Sequence, residues 1–356
     1  MSARANCLRN WTLLAMMPVL AGTAVGQSTP KTALLILSKQ DHTLAIVSPE
    51  DLRVVARVPV GDDPHEVIAS SDGRTAYVSN YGFGAFHTLT VIDLEAQKQK
   101  QQIDLVPLRG PHGLAFVQGK VWFTAEAAKA IGSYDPASGK VDWIMGTGQN
   151  RTHMIYVFPD AKRIVTTNVN SATVTILEKT EGAAGMPPGP QPGPAGSGRP
   201  PRLPGPPGGD WNETVIAVGR GSEGFDVSPD GKEVWVANAW DGTVSIVDIA
   251  AKRVTETLSV NVPGANRLKI TPDGKLALVS AGPNLVILDT ATHREMKRLP
   301  IGHGSGGILV QPDGARAFVA FSPDGFVAVI DLKTLEMVGK IEAGGNPDGL
   351  AWAVER

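Results

Sequence analysis

Cysteine is nearly absent from this chain: Cys7 is the only one in 356 residues. It falls in an N-terminal stretch whose composition stands apart from the rest. The remainder therefore has no disulfide, no thiolate nucleophile and no cysteine-ligated metal. An excess of charge is missing too. The 33 Lys and Arg residues against 35 Asp and Glu leave a net charge of −2, which gives no polyelectrolyte signal and argues against a nucleic-acid partner. Beyond residue 26 no apolar run approaches the roughly 20 residues that a membrane-spanning helix needs. No Ser-His-Asp order and no nucleophile elbow can be recognised.

The N-terminal stretch has a pattern of its own. Arg4 and Arg9 precede the apolar run Trp11 to Val25, which ends in the small-residue junction "AVGQ". This is the layout of a secretory signal peptide over residues 1–26, cleaved after Gly26. The chain is expected to be periplasmic or secreted, not membrane-spanning, and monomeric.

What the chain has in abundance is repetition. "DPHEVIASSDGRTAYVSN" (Asp63 to Asn80) aligns with "GSEGFDVSPDGKEVWVAN" (Gly221 to Asn238), and "GANRLKITPDGKLALVS" and "GSGGILVQPDGARAFVA" follow the same plan. The alignment places His65, His112, His153, Glu223, Asn266, Gly306 and Asp348 in one column, at spacings of 47, 41, 70, 43, 40 and 42 residues. The spacing of 70 contains a Pro- and Gly-rich insertion, residues 181–210. Its composition cannot bury a core, and it reads as a disordered surface loop or a Pro-rich partner-binding segment. Without it the period is restored. A period of 40 to 47 residues rich in strands argues for one closed array over residues 27–356.

One repeat shows the unit. From Glu223 to Val260, "GFDVS", "EVWVAN", "VSIVDI" and "VTETLSV" are four short strands separated by turns. Four antiparallel strands in about 40 residues make a propeller blade. The Pro-Asp-Gly turns at Pro229, Pro272 and Pro312, with a carboxylate column at Asp93, Asp135, Asp248, Asp289 and Asp331, read as turn residues that bond local backbone N–H groups. Seven column residues predict seven blades in an all-β fold. "NPDGLAWAV" near the C-terminus supplies one inner strand, and "TALLILS", "HTLAIVS" and "RVVARVPV" supply the other three, so the last blade is closed by N- and C-terminal strands.

"YVSN" (Tyr77 to Asn80) and "WVAN" (Trp235 to Asn238), each after an Asp-Gly turn and before a "VIDL"-like strand, make the chain resemble the YVTN-repeat propellers. These share their architecture with the seven-bladed lactonase-like proteins. The resemblance covers Thr32 to the C-terminus apart from the insertion. It implies a propeller, and for function it implies either a binding module or a lactonase-like enzyme.

Alternating strand direction puts the column residues on one face, at the central channel. His65, His112 and His153 from successive blades, with Glu223 next in line, form a donor set for a divalent metal (Zn, Ca or Mg). The alternative is that they cap turns or line a wet channel. Arg109, Arg151, Arg220 and Arg267 sit at or just before first strands on that face and, with Asn266, suggest a pocket for a small anionic ligand. Tyr81, Phe83, Phe86, His87 and Trp240 lie in the loops around it. Two functions stay open. One is an exported propeller that binds a small anion or an exported protein partner, with or without a bound metal. The other is a metal-dependent lactonase, hydrolase or lyase with Glu223 and His153 as catalytic residues.

Overall fold

Strand after strand in this chain alternates or runs apolar over six or seven residues and ends in a turn signal, and each becomes a blade strand in the computed structural model. The structure describes residues 28–180 and 211–355. The proposed signal peptide and the 181–210 insertion lie outside the described residues. Among the described residues there are 28 strands and three single 3-10 turns, and no helix is long and apolar enough to cross a membrane.

The strands form seven four-stranded antiparallel sheets. Blade 1 runs from Pro64 to Asp104, blade 2 from Pro111 to Gly146, blade 3 from Thr152 to Ala217, blade 4 from Ser222 to Leu258, blade 5 from Ala265 to Pro300 and blade 6 from Ser305 to Ile341. In blade 7 the inner strand Pro347–Val354 pairs with Thr32–Ser38, followed by Thr43–Val47 and Val54–Pro59. Closure by both ends of the propeller is therefore as expected. The first strands of neighbouring blades touch in cyclic order around the axis, that of blade 7 meeting those of blades 6 and 1.

Burial follows position in the blade. Second and third strands are covered on both faces by neighbouring blades, as in Glu233–Asn238 and Thr243–Asp248. Fourth strands alternate, as in Lys140–Gly146, because one face meets water. The apolar residues collect into seven clusters, one in each gap between successive blades. At about 1.5–3 kcal/mol for each large side chain fully buried, these layers hold the ring together.

The turn columns behave as their chemistry dictates. Asp230 Oδ1 accepts the Lys232 N–H at 3.1 Å and the Ser228 hydroxyl at 2.7 Å, and Gly231 takes φ 71°. Asp248 accepts the Ala251 N–H at 2.7 Å, and Asp331 that of Lys333 at 2.9 Å. All lie on the face away from the column residues. The insertion is bounded there by Lys179 and Trp211, which pair across the third and fourth strands of blade 3.

Candidate functional site: a histidine and carboxylate cluster at the channel mouth

Every inner strand shifts register just where its column residue sits: between Pro64 and Val67, Pro111 and Leu114, Thr152 and Ile155, Ser222 and Phe225, Ala265 and Arg267, and Ser305 and Ile308. Blade 7 repeats this opposite Ile36 and Ser38. A bulge re-aims a side chain and bends the strand, here around the crowded axis. The glycines that follow the column residue allow the approach. A Cβ on Gly113 would stand 2.7 Å from the His153 carbonyl oxygen, and one on Gly307 2.2 Å from that of Asp348.

The three histidines come together. Their ring centroids are 5.0 Å apart for His65 and His112 and 3.8 Å for His112 and His153, and all three are buried. Each leaves one buried ring nitrogen without a hydrogen-bond partner: His65 Nε2, His112 Nδ1 and His153 Nε2. Carboxylates surround them. Glu126 bonds His153 Nδ1 and accepts the Tyr81 hydroxyl. Glu223 Oε1 lies 3.2 Å from His153 Nε2, and Asp63 Oδ1 3.3 Å from His65 Nε2, both as charge contacts without hydrogen-bond alignment. Asp348 Oδ2 and Lys39 Nζ approach His65 Nδ1 at 3.5 and 3.3 Å.

Protonation follows these surroundings. Burial, then the neighbouring His153 and His65, hold His112 well below the usual imidazole range, so it is a neutral ligand-type imidazole. Burial works against charging His153 as well, but its contacts with the carboxylates of Glu126 and Glu223 outweigh it and raise its pKa. Burial alone would lift Glu223, yet His153, Arg151 and Arg267 bring it down to about 2, so it stays ionised. Burial and the bond to Glu126 push the Tyr81 phenol up.

The arginines do not gather as a free set. Arg151 spans Glu126 Oε1 at 3.5 Å and Glu223 Oε1 at 3.3 Å. Arg267 is buried and pairs across the channel with Glu66, while its Nη1 donates to Asn266 Oδ1 at 3.0 Å. Arg220 pairs at 2.7 Å with Asp241 in an exposed loop, and Arg109 is exposed outside the cluster. Only Arg151 and Arg267 thus belong to the channel, and both are already matched by carboxylates. Around the mouth the carboxylates Asp63, Glu66, Glu126, Glu223 and Asp348 outnumber the cations Lys39, Arg151 and Arg267.

Sequence reasoning missed Glu126, Glu66, Asp63 and Lys39, and placed Tyr81 only at the rim. A signal for three of these was present. The residue after each second strand forms another column, reading Lys39 in blade 7, Tyr81 in blade 1 and Glu126 in blade 2. It turns small or apolar at Val169, Ala239 and Gly282 in blades 3 to 5. The polar part of this column, with Ser322 in blade 6, overlaps the arc of the histidines at blades 1 and 2.

A metal ion fits the chemistry of this donor set. The imidazoles offer three buried nitrogens that make no hydrogen bond, and Glu126 behind His153 is the kind of carboxylate that fixes a ligating histidine's tautomer. As placed, among the described residues, no three His, Asp or Glu side chains converge on a common ion position.

No family model matches the chain, and no curated protein matches it in sequence. Solved structures share its fold. A functionally unknown protein from Desulfotomaculum acetoxidans is 13% identical, with a TM-score of 0.70 over 91% of this chain and 99% of its own. A candidate 6-phosphogluconolactonase from Bacteroides uniformis is 15% identical, with a TM-score of 0.70 over 90% and 99%. Hydrazine synthase from Kuenenia stuttgartiensis is 17% identical, with a TM-score of 0.65 over 88% and 99%. At such identities the likeness carries the propeller fold and nothing finer.

Proposed function

We propose that this exported propeller binds a divalent metal ion at the channel mouth through His65, His112 and His153, with Glu223 as the fourth protein donor, and uses it to hold a small oxygen-donor ligand. The observation that carries this reading is the set of three buried ring nitrogens, one from each of three successive blades, that make no hydrogen bond, two of them facing a carboxylate oxygen at 3.2 and 3.3 Å. Donors rich in imidazole suit zinc better than calcium or magnesium, which take oxygen ligands. The excess of carboxylates over cations favours a cation at the same place. A bound ion would supply a Lewis-acid centre with an open position for a ligand oxygen.

The chain's own residues have separate tasks. Glu126 holds the Nδ1 side of His153 and is itself held by Tyr81 and Arg151, which turns Nε2 toward the ligand side. Arg151 keeps Glu223 in reach of His153. Because the arginines are already paired, a small anion is held through the ion rather than by a free guanidinium fork.

Catalysis is a second reading, a metal-dependent lactonase-like hydrolase or lyase. It would use Glu223 and His153, which lie 3.2 Å apart at the mouth.

Calorimetric titration of metal-stripped protein with zinc tests the first reading. We expect one ion per chain, and loss of binding in a His65, His112, His153 triple-alanine variant of matched thermal stability. Sub-stoichiometric zinc in the unaltered protein would overturn it. For the second reading, zinc-loaded protein should open a simple lactone such as δ-valerolactone, and Glu223→Gln should slow this about 100-fold or more. Absence of turnover leaves a binding module.

A further inference from the structure

The loop between the second and third strands of blade 1 reads Tyr81-Gly82-Phe83-Gly84-Ala85-Phe86 and stands at the rim of the histidine cluster. Phe83 adopts a left-handed backbone, φ 49° and ψ 38°, which a bulky L-residue takes only at a cost. Its side chain is 85% exposed, so it gains little from burial. It still adjoins the site, with its ring 6.3 Å from that of His65 and 5.7 Å from that of Tyr81.

A glycine-flanked loop would be slack by default, but this one is tied down. The Gly82 N–H donates to Asp63 Oδ2 at 2.8 Å, and the other oxygen of that carboxylate lies 3.3 Å from His65 Nε2. The Gly84 N–H donates to the Tyr81 carbonyl at 3.1 Å, and the Gly110 N–H to the Phe86 carbonyl at 2.8 Å. Asp63 therefore couples the loop to the His65 imidazole. Glycine or asparagine would meet the same φ with less strain. Left-handed residues other than glycine recur in the turns of this chain, Leu52 and Leu335 among them; what sets Phe83 apart is an exposed phenyl ring held beside a buried site, where it offers a ligand a flat apolar surface.

We infer that Phe83 reads the ligand of this site: the molecule bound at the histidines carries a flat apolar ring beside its metal-binding oxygen, and that ring packs on Phe83. The inference rests on the metal reading above. Charge at the mouth agrees with it. With Arg151 and Arg267 both matched by carboxylates, a phosphate would have to compete with Glu126, Glu223 and Glu66 for these guanidinium groups, whereas a neutral or singly charged ring-bearing oxygen donor needs neither.

Two small chelators with the same metal-binding head test this, benzohydroxamate with a ring and acetohydroxamate without. On the zinc-loaded protein, calorimetry should show benzohydroxamate binding about tenfold tighter. Phe83→Ala should weaken benzohydroxamate by about threefold to tenfold and leave acetohydroxamate and zinc affinity unchanged. Phe83→Tyr, which keeps the ring, should retain the discrimination. Equal binding of both chelators by the unaltered protein, or a Phe83→Ala variant that still discriminates, would overturn the inference and leave the metal reading standing. Failure to bind zinc would overturn both.

Discussion

Position 267 carries an arginine that is 5% exposed and anchored across the channel to Glu66. Burial disfavours its charge, but Glu66, Asp348 and Glu223 outweigh that and raise its pKa. Arg267→Leu leaves Glu66 uncompensated in the channel and should destabilise the protein by about 3–5 kcal/mol. Adding Glu66→Leu should restore most of the loss, which a double-mutant cycle of urea unfolding would measure. At Gly307 the problem is space. Gly307→Ala places a methyl group against the Asp348 carbonyl and should cost about 1–3 kcal/mol, read as a lower denaturation midpoint at an unchanged slope. Glu126→Gln addresses the site. On the metal reading it should weaken zinc affinity about 10–100-fold with thermal stability nearly kept, measured by calorimetry. The histidine column was legible because His65, His112 and His153 share a place in the repeat. Glu66 and Arg267 were not legible as a pair, since they meet only because blades 1 and 5 face each other across the ring, a relation that no local pattern encodes.

Among elements, the turns and the inner-strand bulges carry the most information. The Pro-Asp-Gly turns were readable in the sequence because their residue types meet φ and hydrogen-bond needs inside four residues. The bulges were not, because a register shift has no spelling of its own; only the glycines after the column residues hinted at it. The turn aspartates also predict behaviour in acid. Asp72, Asp230, Asp273, Asp289 and Asp331 all have pKa values lowered from 3.8, chiefly by hydrogen bonds from the hydroxyls and backbone N–H groups of their own turns. Asp331 gains most from the backbone N–H of Thr334. A carboxylate with a depressed folded-state pKa contributes stability above its unfolded value, and that contribution is lost as pH falls through the folded value. The melting temperature should therefore be flat with respect to these groups from neutral pH to about 5 and fall below about pH 4. Asp230→Asn and Asp273→Asn should flatten the fall, as followed by circular dichroism. An unchanged acid slope in the double variant would exclude the turns as its source.

At the scale of the whole molecule, stability is shared by seven similar layers, so no single gap dominates and the weak point is where the ring is fastened. Pairing runs from Thr32 with Val354 to Ser38 with Pro347, and Arg57 reinforces the fastening by donating to the carbonyls of Glu342 and Ala343. A chain truncated before Val60 loses three of the four strands of blade 7. It should unfold in a broad, low transition by calorimetry where the intact ring gives a sharp one. This closure was legible in the sequence from counting strands, one at the C-terminal side and three at the other. The fastening also has a consequence in time. The pairing that locks the ring joins residues more than 300 positions apart, so the tying of the circle waits until Pro347–Val354 is free to pair. Until then the chain is an open necklace of blades. Were the chain exported as its N-terminal pattern suggests, a clasp that fastens late would keep it slack enough to be threaded through a pore.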